Sequence, residues 1–334
     1  MYNQAFHNID ISKLTFLVTG GAGFIGSNLV EYLIKHNAGK VVVLDNLSNG
    51  YNKNIAQFIG LPNFEFIEGD ITNFETCQKV VQGIDYISHQ AALGSVPRSI
   101  ENPLATHEAN ATGFLNILTA AKDSKVKRIV FASSSSVYGD SKELPKVEER
   151  IGTQLSPYAV SKRTKELYAN VFALTYGLDV VGLRYFNVFG PNQSPNGPYA
   201  AAIPLFMDAV LKNESPFING DGEQSRDFTF VENVVQANIK ALFTEKDVKG
   251  KVMNIAFGGK ITINDLFFKI RNIVGNKVEP IYREARLGDV KDSLADISLA
   301  QELIDYHPSF SIDEGLKITI DWFKSLPNPS KGGA

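Results

Sequence analysis

The first half of the chain alternates short apolar runs with segments of helical periodicity. Residues 14–18, 40–44 and 64–68 are short, carry no helical period and are rich in β-branched and aromatic side chains, as buried strands are. Residues 85–89 and 128–133 repeat this pattern, and helical segments lie between the runs. Strands that alternate with helices over about 190 residues predict a doubly wound, parallel α/β sheet with ligands at its carboxyl edge.

The first of these strands stops at a glycine-rich turn. Gly20, Gly23 and Gly26 recur every third residue, and residues 24–33 continue with apolar side chains at helical spacing. In such a turn the first glycine permits the sharp bend, the second lets a pyrophosphate approach, and the third lets the helix pack closely. The second strand ends at Asp45, where a carboxylate would accept hydrogen bonds from a ribose and repel a 2′-phosphate. This combination predicts a Rossmann-like site for NAD rather than NADP.

Polar and small residues follow the other strand ends. Residues 46–54, directly after Asp45, form a turn-rich stretch that suits the adenosine end of a dinucleotide. Asp70 follows the third strand, where its carboxylate either meets the adenine amino group or caps the next helix. Gln90 and Ala91 follow the fourth strand, where small residues allow the backbone to lie against a flat ligand.

The composition argues against several classes of partner. The net charge is −3 and no block of like charge occurs, which disfavours nucleic acid and anionic membranes as partners. Cys77 is the only cysteine and the five histidines are scattered, so we expect neither a disulfide framework nor a metal site. Residues 1–12 lack the pattern of a signal peptide, and no apolar run approaches the ~20 residues of a membrane span. We therefore expect a cytoplasmic protein.

A row of hydroxyl groups and a Tyr–Lys pair mark the candidate chemistry. The fifth strand ends in four serines, residues 133–136. Tyr158 and Lys162 are four residues apart in a predicted helix over residues 157–176, and they therefore share one helix face. An ammonium beside a tyrosine, together with a positive nicotinamide ring, favours the phenolate and makes it a usable base. Next to a dinucleotide site, these residues predict an active site.

The motifs Gly20-x-x-Gly23-x-x-Gly26 and Tyr158-x-x-x-Lys162, with Ser134, resemble those of the extended short-chain dehydrogenase/reductases. Longer blocks are similar to the nucleotide-sugar 4-epimerases of that family, above all to the UDP-N-acetylglucosamine 4-epimerases of bacterial surface-polysaccharide synthesis. The resemblance spans nearly the whole chain, and the longer blocks are residues 91–99 (AALGSVPRS), 184–190 (RYFNVFG), 219–222 (NGDG) and 225–228 (SRDF).

The resemblance implies NAD as a cofactor that is used and regenerated within one turnover, and it implies three catalytic residues. Tyr158 would take the proton of the sugar 4-hydroxyl, Ser134 would bond the same oxygen, and Lys162 would hold the nicotinamide ribose. The residues implied to contact the cofactor are Gly20, Gly23, Phe24, Ile25, Asp45, Asn46, Gly50, Asp70, Ile71, Gln90, Ala91, Tyr158, Lys162, Tyr185 and Val188.

The resemblance also implies a UDP-sugar substrate held by a smaller C-terminal lobe. Residues 191–330 would form most of this lobe, with some segments returning to the cofactor-binding domain of residues 1–190. Relatives restricted to UDP-glucose and UDP-galactose tend to carry a bulky aromatic residue where Ser293 stands, whereas serine leaves room for a 2-acetamido group. The residues implied to contact the substrate are Gly94, Ser95, Ser134, Ser135, Ser136, Asn187, Gln193, Ala201, Arg226, Arg286, Asp289 and Ser293.

The leading hypothesis is therefore a 4-epimerase that interconverts UDP-N-acetylhexosamines. Epimerisation of the uronic acids UDP-GlcNAcA and UDP-GalNAcA, or of UDP-glucose and UDP-galactose, is the alternative. A nucleotide-sugar 4,6-dehydratase is disfavoured, because such relatives have an Asp-Glu pair where Ser135 and Ser136 stand. A non-catalytic dinucleotide sensor is disfavoured because Ser134, Tyr158 and Lys162 are all present.

A homodimer is a further implication of the resemblance. The family pairs through two helices, which here would be residues 103–123 and 158–176. The first of these segments is amphipathic and is predicted as one long helix that includes Asn110.

Overall fold

The computed structural model of the chain describes residues 1–196, 200–285 and 291–326. The strands are β1 (Thr15–Thr19), β2 (Lys40–Asp45), β3 (Phe64–Glu68), β4 (Tyr86–His89), β5 (Arg128–Ser134), β6 (Val180–Tyr185), β7 (Val188–Phe189), β8 (Phe217–Asn219), β9 (Ser225–Arg226), β10 (Thr229–Phe230), β11 (Val252–Ile255), β12 (Ile261–Thr262) and β13 (Ile281–Arg283). The helices are α1 (Phe24–Lys35), α2 (Phe74–Val80), α3 (Val96–Glu101), α4 (Pro103–His107), α5 (Gly113–Asp123), α6 (Pro157–Tyr176), α7 (Ala202–Leu211), α8 (Val231–Phe243), α9 (Ile263–Val274), α10 (Ser298–Ile304) and α11 (Ile312–Ser325). None of the helices in these ranges combines the length and the apolarity that crossing a bilayer requires.

Seven parallel strands form the central sheet, in the spatial order β3-β2-β1-β4-β5-β6-β11. The predicted doubly wound, parallel α/β sheet is thus confirmed. The strand order reverses between β1 and β4, and a crevice opens at such a point because the connections leave in opposite directions. The carboxyl ends of these two strands carry the glycine turn and residues 90–91, so the predicted cofactor residues lie at the switch point.

Helices cover both faces of the sheet, which explains why its strands read as continuous apolar runs. On one face, α1 and α8 pack in a single core that includes Leu29 and Val235. On the other face, α2, α5 and α6 share a core that includes Phe114 and Phe172. Full burial of each such side chain stabilises the fold by about 1.5–3 kcal/mol.

The chain beyond residue 190 contributes to two bodies. Strand β11 completes the central sheet by pairing with β6, and α8 packs on β5 and β6. A smaller lobe forms around a separate core, to which α7, α9, α11 and the short strand β8 contribute. Phe206, Phe267 and Phe323 are among the buried side chains of this core.

The segment of residues 103–123 differs from the single α-helix expected. A π-helical turn, Glu108–Thr112, separates α4 from α5. The buried Asn110 lies on this turn, where its Oδ1 accepts a hydrogen bond from Leu93 N (2.7 Å) and its Nδ2 donates to Ser161 Oγ (3.0 Å). Such turns occur mostly as single insertions in α-helices. This one directs Asn110 toward the strand-end loop and toward α6.

Residues 1–12 form an N-terminal strap that the sequence does not predict. Tyr2 is fully buried; its hydroxyl donates to Asn28 Oδ1 (2.6 Å) on α1, and its backbone N donates to Glu232 Oε1 (2.9 Å) on α8. Asn28 Nδ2 in turn donates to Pro191 O (3.0 Å). The strap therefore joins both helices of one sheet face to the point where the chain leaves for the smaller lobe.

Replacement of Tyr2 by alanine should lower the free energy of unfolding by about 3–5 kcal/mol, because it empties a fully buried aromatic site. Urea denaturation followed by circular dichroism would measure this loss. Ile9→Ala is the matched control in the same strap, since Ile9 is exposed, and it should change stability by less than about 0.5 kcal/mol. Equal effects of the two substitutions would contradict a structural role for Tyr2.

Candidate active site

The glycine turn allows two close backbone contacts. Gly20 has a φ of +70°, and a Cβ atom there would lie 2.6 Å from Ala91 N at the end of β4. A Cβ atom at Gly26 would lie 2.1 Å from Gly20 O, so α1 packs directly against the turn. Helix α1 begins after Gly23 without a side-chain cap. Its first N–H groups are therefore available to an anion such as a pyrophosphate.

Asp45 ends β2 beside this turn and is 8% exposed. Its Oδ2 accepts a hydrogen bond from Ala22 N (2.9 Å) and its Oδ1 accepts one from Leu47 N (2.8 Å). Burial raises the pKa of Asp45, and these backbone N–H groups oppose that shift. Each oxygen keeps capacity for a further hydrogen bond, as the predicted ribose contact requires.

Asp70 is not a helix cap. The side chain of Asn73 caps α2 by accepting a hydrogen bond from Thr76 N (2.9 Å). Asp70 instead accepts from Thr72 N (2.8 Å) and from Asn46 Nδ2 (2.8 Å), and thereby ties the loop after β2 to the loop after β3. Of the two roles that the sequence left open for Asp70, the capping role is wrong.

These groups lie on one cleft of about 720 Å³ at the carboxyl edge of the sheet. Its lining includes the glycine turn together with Ser134, Tyr158 and Lys162. All the residues that the sequence assigned to the cofactor line it, namely Gly20, Gly23, Phe24, Ile25, Asp45, Asn46, Gly50, Asp70, Ile71, Gln90, Ala91, Tyr158, Lys162, Tyr185 and Val188. The structure thus brings together side chains from five strand ends in the way a dinucleotide site needs.

Ser134, Tyr158 and Lys162 form a compact group on the lining of this cleft. Ser134 is the last residue of β5, and Tyr158 and Lys162 lie on the first turns of α6. Lys162 Nζ donates to Ala132 O (3.0 Å) and lies 5.6 Å from the centre of the Tyr158 ring. The three predicted catalytic side chains are therefore adjacent.

Burial shifts the pKa of both titratable groups in this set. It raises the pKa of Tyr158, and a hydrogen bond with Ser134 opposes the shift. It lowers the pKa of Lys162 to about 8, and the Glu166 carboxylate opposes that shift. A phenolate at Tyr158 at neutral pH therefore depends on Lys162 remaining an ammonium and on further positive charge beside the ring.

A second cavity of about 290 Å³ adjoins the cleft, and the two share Asn187 and Val188. Asn187 has a φ of +35° and donates from Nδ2 to Asp227 O (2.9 Å). Four predicted substrate residues line this second cavity, namely Asn187, Gln193, Ala201 and Arg226. Phe217, Phe228 and Arg283 also line it, and the sequence did not single them out.

The other predicted substrate residues have different positions. Gly94 and Ser134 line the cofactor cleft. Ser95, Ser135, Ser136 and Ser293 line neither cavity; Ser95 caps α3, and Ser293 N donates to Ser225 O (3.1 Å) next to Arg226. Arg286 and Asp289 lie outside the described residues.

Asp227 is a buried carboxylate that the sequence did not single out. It follows Arg226 and accepts hydrogen bonds from the backbone N–H groups of Phe257 (3.1 Å), Gly258 (3.2 Å) and Ala295 (3.3 Å). Burial raises the pKa of Asp227 to about 7, and these N–H groups oppose the shift. The carboxylate therefore joins the segment that follows Arg226 to the segments around residues 257–258 and 295.

Glu166 is a second buried carboxylate that the sequence did not single out. It receives two hydrogen bonds from Arg184 on β6, at 2.8 Å from Nε and 2.9 Å from Nη2. Ser133 Oγ, adjacent to Ser134, donates to it at 2.6 Å. The only available sequence signal is its spacing, four residues beyond Lys162 on the same face of α6.

Comparison with known proteins identifies related sequences and folds. The sequence profile of the NAD dependent epimerase/dehydratase family matches residues 16–256. The UDP-glucuronate 4-epimerase of Thermodesulfobacterium geofontis is 36% identical over 92% of this chain and 96% of its own length.

Solved structures of UDP-sugar 4-epimerases are similar to this chain in both sequence and fold. The UDP-N-acetylglucosamine 4-epimerase of Methanobrevibacter ruminantium M1, in complex with UDP-N-acetylmuramic acid, is 42% identical and superposes with a TM-score of 0.89 over 93% of this chain and 98% of that one. The UDP-glucose 4-epimerase of Thermotoga maritima, with UDP-glucose, is 36% identical and superposes with a TM-score of 0.87 over 93% of this chain and 99% of that one.

Replacement of Asp45 by asparagine should weaken NAD binding about tenfold, because a charged acceptor of ribose hydrogen bonds becomes a neutral one. The same change removes the charge that repels a 2′-phosphate, so the preference for NAD over NADP should fall by more than this factor. Calorimetric titration of nucleotide-free protein with each dinucleotide would measure both effects.

Asp85→Asn is the matched control for this test. Asp85 precedes β4 at the opposite edge of the sheet, where it also accepts a hydrogen bond from a backbone N–H, that of Thr15 (2.8 Å). Its substitution should leave both affinities unchanged. An unchanged NAD/NADP ratio in Asp45→Asn would show that Asp45 does not contact the ribose.

Proposed function

Since the chain belongs to the NAD dependent epimerase/dehydratase family and is an NAD-dependent UDP-sugar 4-epimerase, we propose that it interconverts UDP-N-acetylglucosamine and UDP-N-acetylgalactosamine. The observation that carries the proposal is the junction of the two cavities. Ser134, Tyr158 and Lys162 line the cofactor cleft, and this cleft shares Asn187 and Val188 with the second cavity. A sugar bound across this junction would meet the reactive side chains and the cofactor together.

Each of the three reactive residues has a distinct role in this proposal. Tyr158 as phenolate takes the proton from the sugar 4-hydroxyl, and Ser134 bonds to the same oxygen. Lys162 holds the ribose next to the nicotinamide and favours the phenolate by its charge. The bound NAD+ supplies reversible hydride acceptance and a positive ring beside Tyr158. After the 4-keto sugar has turned over in the pocket, Tyr158 would return the proton to the sugar oxygen while the hydride returns to C4 on its other face.

Inversion requires a firm grip on the nucleotide and a loose one on the sugar. We assign the grip to Asn187 and Arg226 on the second cavity, and to Arg286 and Asp289 on the strength of the family resemblance. A guanidinium group suits a diphosphate because it donates two parallel hydrogen bonds. Three of these four residues, all but Asn187, belong to the lobe expected for residues 191–330.

The small residues around the sugar support an N-acetylated substrate. On the strength of the family resemblance we assign Gly94, Ser95, Ala201 and Ser293 to the sugar pocket, although only Gly94 and Ala201 among them line a cavity. Ser293 N donates to Ser225 O, next to the cavity-lining Arg226, and a small side chain at position 293 leaves room for a 2-acetamido group. Gln193 offers an amide contact to that group: its Nε2 donates to Val188 O (3.1 Å), while its buried Oε1 has no hydrogen-bond partner within the described ranges. The 42% identity to a UDP-N-acetylglucosamine 4-epimerase supports the same substrate.

Two related activities are the alternatives. Relatives named as UDP-glucuronate and UDP-glucose 4-epimerases are each 36% identical to this chain. UDP-linked uronic acids and unmodified UDP-hexoses are therefore the alternative substrates. A 4,6-dehydratase is disfavoured because Ser135 and Ser136 occupy the positions where such relatives carry an Asp-Glu pair.

Proton NMR of the anomeric region tests the proposal directly. Purified protein with UDP-N-acetylglucosamine and no added cofactor should give a stable mixture that contains UDP-N-acetylgalactosamine. Tyr158→Phe should slow the conversion by at least ~100-fold, because it removes the proton acceptor. Conversion of UDP-GlcNAcA or UDP-glucose alone would overturn the substrate but not the reaction.

Ser293→Tyr probes the pocket in the same assay. The ring should lower the rate with UDP-N-acetylglucosamine relative to UDP-glucose by about tenfold or more, because it competes for the space of the acetamido group. Ser298→Tyr is the matched control, since Ser298 is exposed five residues further along the chain. A parallel loss on both sugars would place Ser293 away from the acetamido group.

We also propose that the enzyme is a homodimer that pairs through residues 103–123, which include α4 and α5, and through residues 158–176 of α6. One face of α6 packs on the sheet with Lys162, whereas the other exposes Val160, Leu167, Val171 and Leu174. These four side chains recur at intervals of seven, four and three residues, and so form one stripe. Leu104 on the neighbouring α4 is 80% exposed beside it. Such a contiguous apolar surface is typical of an interface.

The double substitution Val171→Glu/Leu174→Glu should convert the dimer to a monomer, because it places two carboxylates on each side of the contact. Size-exclusion chromatography with light scattering would measure the mass. Ile59→Glu, at an exposed apolar position outside both helices, should leave the dimer intact. A wild-type protein that runs as a monomer would contradict the proposal.

A further inference from the structure

Glu166 belongs to the same buried helix face as the reactive lysine, although it is too far along α6 to touch the substrate side of the cleft. Its side chain is 1% exposed and does not line either cavity. Burial acts to raise the pKa of Glu166, but Arg184, Ser133 and Arg163 outweigh it by donating hydrogen bonds to the ionised form. Glu166 is therefore a carboxylate in the interior.

Lys162 is buried among groups that offer it little compensation. Its one hydrogen bond in the described structure goes to the neutral acceptor Ala132 O. From α6 it faces Tyr158, Lys165 and Glu166, and from β4 it faces His89. Within the described ranges, Lys165 Nζ has no hydrogen-bond partner and lies 4.7 Å from the centre of the Phe114 ring.

Of these neighbours, Glu166 is the one carboxylate. Burial lowers the pKa of both Lys165 and His89, and neither side chain can supply a negative charge. Burial raises the pKa of the Tyr158 phenol, which disfavours its negative form. The ammonium form of Lys162 is therefore stabilised mainly by one carboxylate, a single helical turn away.

We propose that Glu166 is a positioning residue of the reaction, whose buried carboxylate keeps Lys162 in its ammonium form and holds the Ser133–Ser134 strand end in place. The inference rests on the proposed function, since it assumes that Lys162 must be charged for Tyr158 to act as a base. The two roles share one geometry: Ser133 Oγ donates to Glu166 (2.6 Å), and Lys162 donates to the residue before Ser133. The last residues of β5 are thereby bonded to two residues of α6, Lys162 and Glu166.

An electrostatic role of Glu166 and a purely structural one predict different effects on the pH dependence of turnover. Loss of the carboxylate removes an attraction that raises the pKa of Lys162, and for charges one helical turn apart at an effective dielectric constant of about 20 this attraction is worth at least about one pH unit. Lys162 then loses its proton at lower pH. The fall of kcat at high pH, which is the alkaline limb of the kcat–pH profile, should therefore move to lower pH by that amount. A merely structural role would reduce turnover at every pH without moving the limb.

The experiment is the dependence of kcat on pH, between about pH 6 and pH 10, for the full-length holoenzyme with saturating UDP-N-acetylglucosamine. Glu166→Gln should shift the alkaline limb down by at least about one pH unit. Glu166→Asp keeps the charge, so its limb should stay near that of the wild type even if kcat is lower. An unshifted limb in Glu166→Gln would overturn the proposal.

Glu148→Gln is the matched control, because Glu148 interacts with the same Arg184 but is not among the groups that act on Lys162. Its limb should not move, and a shift as large as that of Glu166→Gln would overturn the proposal. If Glu166→Gln leaves Arg184 unpaired and fails to fold, Glu166→Gln/Arg184→Gln replaces the ion pair by a neutral pair. Its limb should move in the same direction, and an unmoved limb would again count against the proposal.

Measurements on the wild-type enzyme distinguish a failure of the role of Glu166 from a failure of the proposed function. Turnover by the wild type with an unmoved limb in the variants overturns the role of Glu166 alone. Absence of wild-type turnover with every UDP-hexose overturns the proposed function, and the role of Glu166 with it.

Discussion

The hydrogen bond from Lys162 Nζ to Ala132 O joins helix α6 to strand β5, and the position of each reactive group depends on it. Tyr158 lies one turn before Lys162 on the same face, and Ser134 lies two residues after Ala132. Lys162 is 3% exposed, so this hydrogen bond satisfies a buried polar group and ties the helix to the strand. Because both elements are regular and packed in the core, the reactive oxygen atoms are held more firmly than loops would hold them.

Helix α6 also illustrates how much of the fold can be predicted from local sequence. Ser156 caps it by accepting a hydrogen bond from Ala159 N, Pro157 occupies its first turn, and Gly177 ends it with a φ of +69°. All three signals lie within the helix ends themselves, so the predicted bounds are correct. The π turn at Glu108–Thr112 was not predictable in this way, because it accompanies hydrogen bonds between Asn110 and residues distant in sequence.

The same distinction applies to the candidate site. The glycine turn and Asp45 are near neighbours in sequence, and their positions around the cleft follow from strand–turn–helix geometry. Asp227 holds backbone groups 30 and 68 residues away, so no local pattern marks it. Tyr2 has the same character, because its partners lie on α1 and α8. The roles of residues that depend on contacts distant in sequence become visible only in the structure.

The return of β11 to the central sheet has a consequence for how the chain acquires its structure. A nascent chain that has emerged from the ribosome only as far as residue 190 contains every cofactor motif but neither α8 nor β11. Strand β6 would then be an edge with unpaired backbone groups, and Val181 and Leu183 would meet water instead of α8. The half that carries the cofactor motifs therefore lacks one strand and one covering helix of its own sheet until synthesis has passed residue 255.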